Sequence, residues 1–427
     1  MMERAKSVLL ALLIAVSLVQ SYFLAYSMPS MEAKVRTEQD YVKTDPLGPE
    51  EQVGKLLLPE QLVLHLGADK HTVFYPNDSF YDLVLGKLQG REFKGFQQDT
   101  IDSVDWEQVR KEDIGVEVRF GRAVPFELLE QVFKIDSNFL FSADSVSRIW
   151  IFASKDREEV RTFFFSADGR NVYEALRADL TVQDVQQCVG FGQYWTPFAH
   201  LDGGVYVPEK TRPYDAVQVP FSRYTPDQIQ RNLFIDPGTT RMIQDRQDGT
   251  RIYTDGKRGL KIEQDSGWLS YTDLVAPTDS QNDLSDNISA AVKFVNQHGG
   301  WNGTHRLVSG EGSVNDSGIR FQQYYKGLPI LSGGSFKFGY MQLTIQQGVV
   351  TSYERSMIVL DEKSKTSATQ VKLPAGESLR AMIRRTAGGS VVESVFPAYQ
   401  ATLTKDAVKL QPVWAIRLTD GEVRKVE

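Results

Sequence analysis

One cysteine, Cys188, stands in a chain of 427 residues, so no disulfide can form within it and stability has to come from burial. Long runs of one charge are missing too. The net charge of −7 is spread along the sequence, which argues against a nucleic-acid partner and for a solvated surface. The five histidines fit no H-E-x-x-H spacing, and neither a cysteine pair nor an Asp-rich calcium loop accompanies them, so no metal is expected. "SGEGS" and "SGGSF" are glycine-rich but lack the G-x-S-x-G order of a nucleophile elbow and the lysine of a phosphate loop; they read as turns. Cys188, beside Val185 and Val189, reads as a small buried hydrophobe. With no nucleophile, acid/base pair, metal set or cofactor motif, an enzyme is not expected.

Long apolar runs are equally scarce, with one exception. Between Ser7 and Met31 no charged side chain occurs, and the roughly 20 residues from Ser7 to Ala25, at about 1.5 Å each, match a hydrocarbon core of about 30 Å. A helix is the single-segment structure that satisfies its own backbone in lipid. Arg4 and Lys6 precede the run, while Glu32, Lys34, Arg36, Glu38 and Asp40 mix signs after it, so the N-terminus is expected in the cytoplasm and the bulk of the chain outside. Ala25-Tyr26-Ser27 is a passable export-signal cleavage site. Against cleavage, the run is longer than the usual 7 to 15 residues of such signals, and Tyr22, Phe23 and Leu24 crowd the site.

On a helical wheel Ser7, Ala11, Ala15, Ser17, Ser21 and Ala25 share one half of this helix, and bulky residues fill the other. Such small-x-x-x-small ladders let a second helix approach closely, and the amide of Gln20 seeks a partner in lipid. These seven residues are the candidate interaction site.

The rest divides by texture. Residues 1–31 are the cytoplasmic end and span, and 32–55, broken by Pro46, Gly48 and Pro49, are a tether. Residues 56–190 read as a mixed domain opening with a strand-turn-strand around Gly67-Ala68-Asp69-Lys70. Residues 191–275 read as a β-rich domain, and 276–427 as a domain of helices followed by hairpins. Helices starting near 225, 285 and 376, each followed by strands, form a weak repeat. The expected class is α+β, with a single N-terminal transmembrane helix, short helices and antiparallel sheets.

"LLLPEQLVLHLGADKHTVFYPNDSFYDLVLGKLQG", residues 56 to 90, and "GIRFQQYYKGLPIL", 318 to 331, behind one N-terminal span, resemble the YycH family of membrane-anchored regulators of the WalK (YycG) sensor histidine kinase. The resemblance implies no enzymatic activity, no cofactor, a cell-membrane location and an outer part of three domains. It further implies a YycI-like membrane partner, and action on the kinase through transmembrane helices. The motif around Pro59, His65, His71, Tyr75 and Pro76 carries over as a family marker, read here as a hairpin closed by Tyr75 against the following helix. "FQQYYKGLPILSG" also resembles the PepSY pattern of protease propeptides. That supplies an alternative, an extracytoplasmic inhibitor or chaperone of a protease or wall enzyme.

Overall fold

The computed structural model describes residues 6, 16–17, 46–136, 144–155, 158–274, 283–309, 318–333, 336–364 and 366–427. Two compact units divide the chain, Met1–Val42 and Lys43–Glu427. In the first, Lys6, Val16 and Ser17 are helical and exposed. No helix among the described residues is long and apolar enough to cross a membrane; the expected span lies outside the described residues except at Val16 and Ser17.

The second unit is α+β, with eight helices among the described residues and two large sheets. The first sheet is built from β1 (Gln61–Leu66), β2 (His71–Phe74), β3 (Glu92–Thr100), β4 (Ile114–Pro125), β5 (Lys134–Asp136), β6 (Ser145–Ser154), β7 (Glu159–Ser166), β8 (Asn171–Ala178), β9 (Phe198–Leu201) and β10 (Val205–Pro208). Its spatial order is 10-9-2-1-4-6-7-8-3-5. The second sheet begins with β11 (Arg212–Arg223), β12 (Arg241–Gln244), β13 (Arg251–Thr254), β14 (Arg258–Glu263) and β15 (Trp268–Asp273). It continues through β16 (Thr304–Ser309), β17 (Gly318–Tyr325), β18 (Leu328–Leu331), β19 (Tyr340–Gln346), β20 (Val349–Ser356) and β21 (Ile358–Leu360). It is completed by β22 (Ser367–Leu373), β23 (Val392–Leu403), β24 (Ala407–Leu418) and β25 (Val423–Lys425). Pairing is antiparallel except at β3–β5 and β18–β23, which are parallel. The expectation of antiparallel sheets is corrected at these two pairings, because each of those partners arrives by a long connection rather than a hairpin.

Local chemistry accounts for the helix ends. Thr181 caps Val182–Gly190 in a reciprocal box with Asp184, and Thr225 caps Pro226–Leu233 with Gln228, Pro226 filling the first turn. Asp105 caps Trp106–Glu112. Gly388, at φ +60°, ends Gly376–Ala387 in the left-handed conformation that glycine adopts without strain.

The β1–β2 hairpin departs from its sequence pattern. Its alternation suggests one covered face, yet both faces are buried. Leu62, Leu64 and Phe74 enter one core, which extends to the helix Leu284–Gln297; Val63, Val73 and Tyr75 enter another, shared with β18, β23 and β24. The hairpin is thus buried between two cores, each of which includes residues of the second sheet.

Candidate functional site

The hairpin turn Gly67-Ala68-Asp69-Lys70 brings His65 and His71 into register across the strand pair. Their Nδ1 atoms lie 3.1 Å apart, and both rings are almost fully buried. His71 Nε2 is 3.2 Å from Asp69 Oδ1, which also accepts from Arg110 at 2.6 Å. A carboxylate only accepts, so His71 carries its proton on Nε2 and its Nδ1 accepts from His65. His65 Nε2 is then bare; it faces Glu117 Oε2 at 3.7 Å and finds no hydrogen-bond partner among the described residues.

Glu117 is wholly buried and accepts from Arg119 at 2.7 Å and Arg148 at 2.8 Å. Burial pushes its carboxyl up, but the Arg119 and Arg148 charges outweigh this and hold it well below the ordinary carboxylate range. Burial pushes both histidines the other way: His65 is lowered, and His71, further lowered by His65 beside it, falls to about 4. Tyr206 and the half-buried His200 close the cluster, 5.3 Å and 6.4 Å from the His71 ring.

Three of the five histidines therefore converge with Asp69 and Glu117, of which the sequence pattern pairs His65 with His71 across the hairpin turn and leaves His200 in a loop. In chemical terms the cluster holds a neutral, mutually hydrogen-bonded pair closed to solvent, with every nearby carboxylate engaged by an arginine. Cys188 is buried and its thiol pushed up to about 11 by that burial, so it is no thiolate at neutral pH. Among the described residues, no group of three or more His, Cys, Asp or Glu side chains is arranged to hold a metal ion.

The second constellation is a charged seam between the sheets. Glu60 accepts two 2.6 Å bonds from Arg417 of β24, both side chains being buried. Arg417 is raised above its ordinary value: burial alone would lower it, and the Glu60 carboxylate overcomes that. Asp78 pairs with Arg212 at the start of β11 and accepts from the Tyr75 amide at 2.9 Å. The Tyr75 hydroxyl donates to the Val395 carbonyl of β23 at 3.0 Å, and the same carbonyl accepts from Gln61. Tyr75 thus packs against Phe198 and Trp414 rather than closing the hairpin against the following helix, as the sequence suggested.

The two stretches that carry the family resemblance meet here. Arg306 and Tyr81 both donate to the Pro59 carbonyl, at 2.5 Å each. Gly327 (φ +82°) turns against Pro76 and Asn77 so tightly that a Cβ would stand 2.5 Å from the Asn77 amide nitrogen. Tyr324 and Tyr325, which precede that turn, are buried.

Of the seven candidate interaction residues, Ser17 is described, helical and exposed. Ser7, Ala11, Ala15, Gln20, Ser21 and Ala25 lie outside the described residues.

Family models described as the N-terminal and C-terminal domains of YycH protein match residues 3–188 and 203–427. No curated protein matches the chain. Among solved structures, YycH from Bacillus subtilis is similar in fold, with a TM-score of 0.72 at 14% identity over 90% of this chain and 99% of that one. An uncharacterized protein from Eubacterium rectale gives a TM-score of 0.33 at 9% identity over 54% of this chain and 88% of that one. The C-terminal domain of YpeB from Bacillus megaterium gives 0.26 at 14% identity over 48% and 99%.

Proposed function

The chain belongs to the YycH family, and from that premise we propose that it is a membrane-anchored regulator that acts on a WalK-type sensor kinase through the helix Ser7 to Ala25. The carrying observation is that the family's two domain models together take in nearly the whole chain, residues 3–188 and 203–427, and regulation of the WalK (YycG) kinase is that family's role. The finer reading is ours. The small-residue face of the span packs against the kinase's transmembrane helices, with a YycI-like protein as the second partner, while the outer domains stand outside the cell.

The physics of such regulation is differential packing. A helix that fits one kinase state better than the other shifts their populations by the difference in packing free energy. In lipid there is no hydrophobic drive between helices, so shape and the Gln20 amide have to supply that difference. The alternative, a PepSY-like inhibitor, gains no support from its motif: Tyr324, Tyr325 and the Gly327 turn are occupied inside the seam.

The test exchanges residues 7–25 for an unrelated membrane span in the full chain and follows transcription of the kinase's target genes. Loss of the regulator's effect with the outer part still folded is the expected result. An unchanged effect overturns the helix-packing reading.

A further inference from the structure

The end of the tether, from Leu47 onward, does not dock on the strands it leads into. It lies across residues almost 250 positions later in the chain. The Leu47 amide donates to the Gly299 carbonyl at 3.1 Å, and the Trp301 amide donates to Pro49 at 3.0 Å. Asn296, on the last turn of the helix Leu284–Gln297, makes three bonds at once. Its Oδ1 accepts from the Glu51 amide at 3.0 Å and from Trp301 Nε1 at 2.7 Å, and its Nδ2 donates to the Glu51 carbonyl at 2.9 Å. The amide therefore reads the strap's backbone in both directions, which neither an acid nor a hydrocarbon side chain can do.

Two glycines permit the close approach. A Cβ on Gly48 would stand 2.0 Å from the Trp301 carbonyl oxygen, and one on Gly300 (φ +74°) would stand 2.4 Å from that of Gly48. Beneath them the buried Arg355 donates to the Gly300 carbonyl at 2.7 Å and to the Tyr353 hydroxyl at 2.9 Å.

The strap then touches the other half of the body. Within the short helix Val53–Leu56, a Cβ on Gly54 would be 2.6 Å from the Gln131 carbonyl oxygen. Leu56 and Leu57 are buried, and the chain enters the seam at Pro59 and Glu60. Beside the strap lies an open cleft of about 600 Å³, lined among others by Glu50, Val53, Gln131, Val292, Lys293 and Gln297.

We propose that residues 47–51 are a latch that couples the tether to the second half of the outer body, with Asn296 as its positioning residue. Through it, the second half of the outer body holds the chain that leads to the membrane. The coupling to output rests on the regulator reading above; the latch itself rests on the contacts just described. The three Asn296 bonds set how readily the strap leaves.

The test uses the full chain in its membrane. Asn296→Ala removes all three bonds, Asn296→Asp keeps the two acceptor bonds but sets a carboxylate oxygen against the Glu51 carbonyl, and Gly48→Ala wedges the strap off without touching the helix. Hydrogen exchange at residues 47–51 should rise in both Asn296 variants, about tenfold in Asn296→Ala, while the main melting transition holds. Kinase target-gene output should shift in both, and Gly48→Ala should reproduce the Asn296→Ala phenotype. Faster exchange with wild-type output in both Asn296→Ala and Gly48→Ala overturns the coupling, and unchanged exchange overturns the latch. If the span exchange alters output while these variants do not, the coupling fails and the regulator reading stands; if the span exchange itself has no effect, that reading fails.

Discussion

Two hairpins of similar appearance end in opposite environments. β1–β2 and β12–β13 are both short antiparallel pairs with apolar residues set among polar ones. In the first, even His65, His71 and Thr72 are buried; in the second, Met242 and Ile243 are more than half exposed. The difference lies in neighbours and not in pattern. β1–β2 has a core on each side because the second sheet folds back over it, whereas β12 is the outermost strand of its sheet. Alternation in a sequence reports that one face is apolar; it is silent on whether the other face is covered by something distant.

Breaking the covered hairpin's ties should be costly. The largest effect is expected from Glu60→Ala, which leaves Arg417 buried without its carboxylate. A loss of about 3–5 kcal/mol in urea unfolding is expected, and a loss below 1 kcal/mol would mean that the pair is solvated in practice.

Next comes acid. His71 falls from 6.5 in the unfolded chain to about 4 in the folded one, so the unfolded chain binds more protons between those values. Its contribution is present in full above pH 6.5 and is lost as the pH falls toward 4, a difference on the order of 3 kcal/mol. Charging the pair would add a second proton to each ring beside the Arg110 and Arg119 charges, with only Asp69 and Glu117 to balance them. His71→Gln should flatten unfolding free energy against pH over that range, and an unaltered slope would show that the loss arises elsewhere.

Tyr75→Phe removes one bond to Val395 while Gln61 still reaches the same carbonyl, so about 1 kcal/mol is expected, read as a lower melting temperature. At the exposed hairpin, Met242→Lys should move stability by no more than about 0.5 kcal/mol. A larger change there would erase the contrast between the two hairpins.

Much of the local structure was legible. The capping residues Thr181 and Thr225, the first-turn Pro226, the helices over Leu284–Gln297 and Gly376–Ala387 and the Gly67–Lys70 turn all follow from short-range chemistry that one sequence carries. Other local readings failed for tertiary reasons. Asn77, Asp78 or Ser79 could each cap the next helix by residue type; it starts at Tyr81 with no side-chain cap, and Asp78 is turned to Arg212 and the Tyr75 amide instead. The seam and the histidine cluster were hidden altogether. Glu60 and Arg417 lie 357 positions apart, and nothing in either one's neighbourhood marks the other. His65 and His71 were visible as hairpin partners, but His200 and the Glu117 arginines join them only through the order in which ten strands pair.

The most direct test of the central claim is cysteine-scanning crosslinking across residues 7–25 of the full chain in its native membrane, against the sensor kinase and candidate partners. Helix packing predicts crosslinks that recur with helical period and peak at Ser7, Ala11, Ala15, Ser17, Ser21 and Ala25, with Leu9, Leu12 and Val16 weak. Crosslinks absent along the whole span, or recovery of a mature protein beginning near Met28 from the medium, would contradict it.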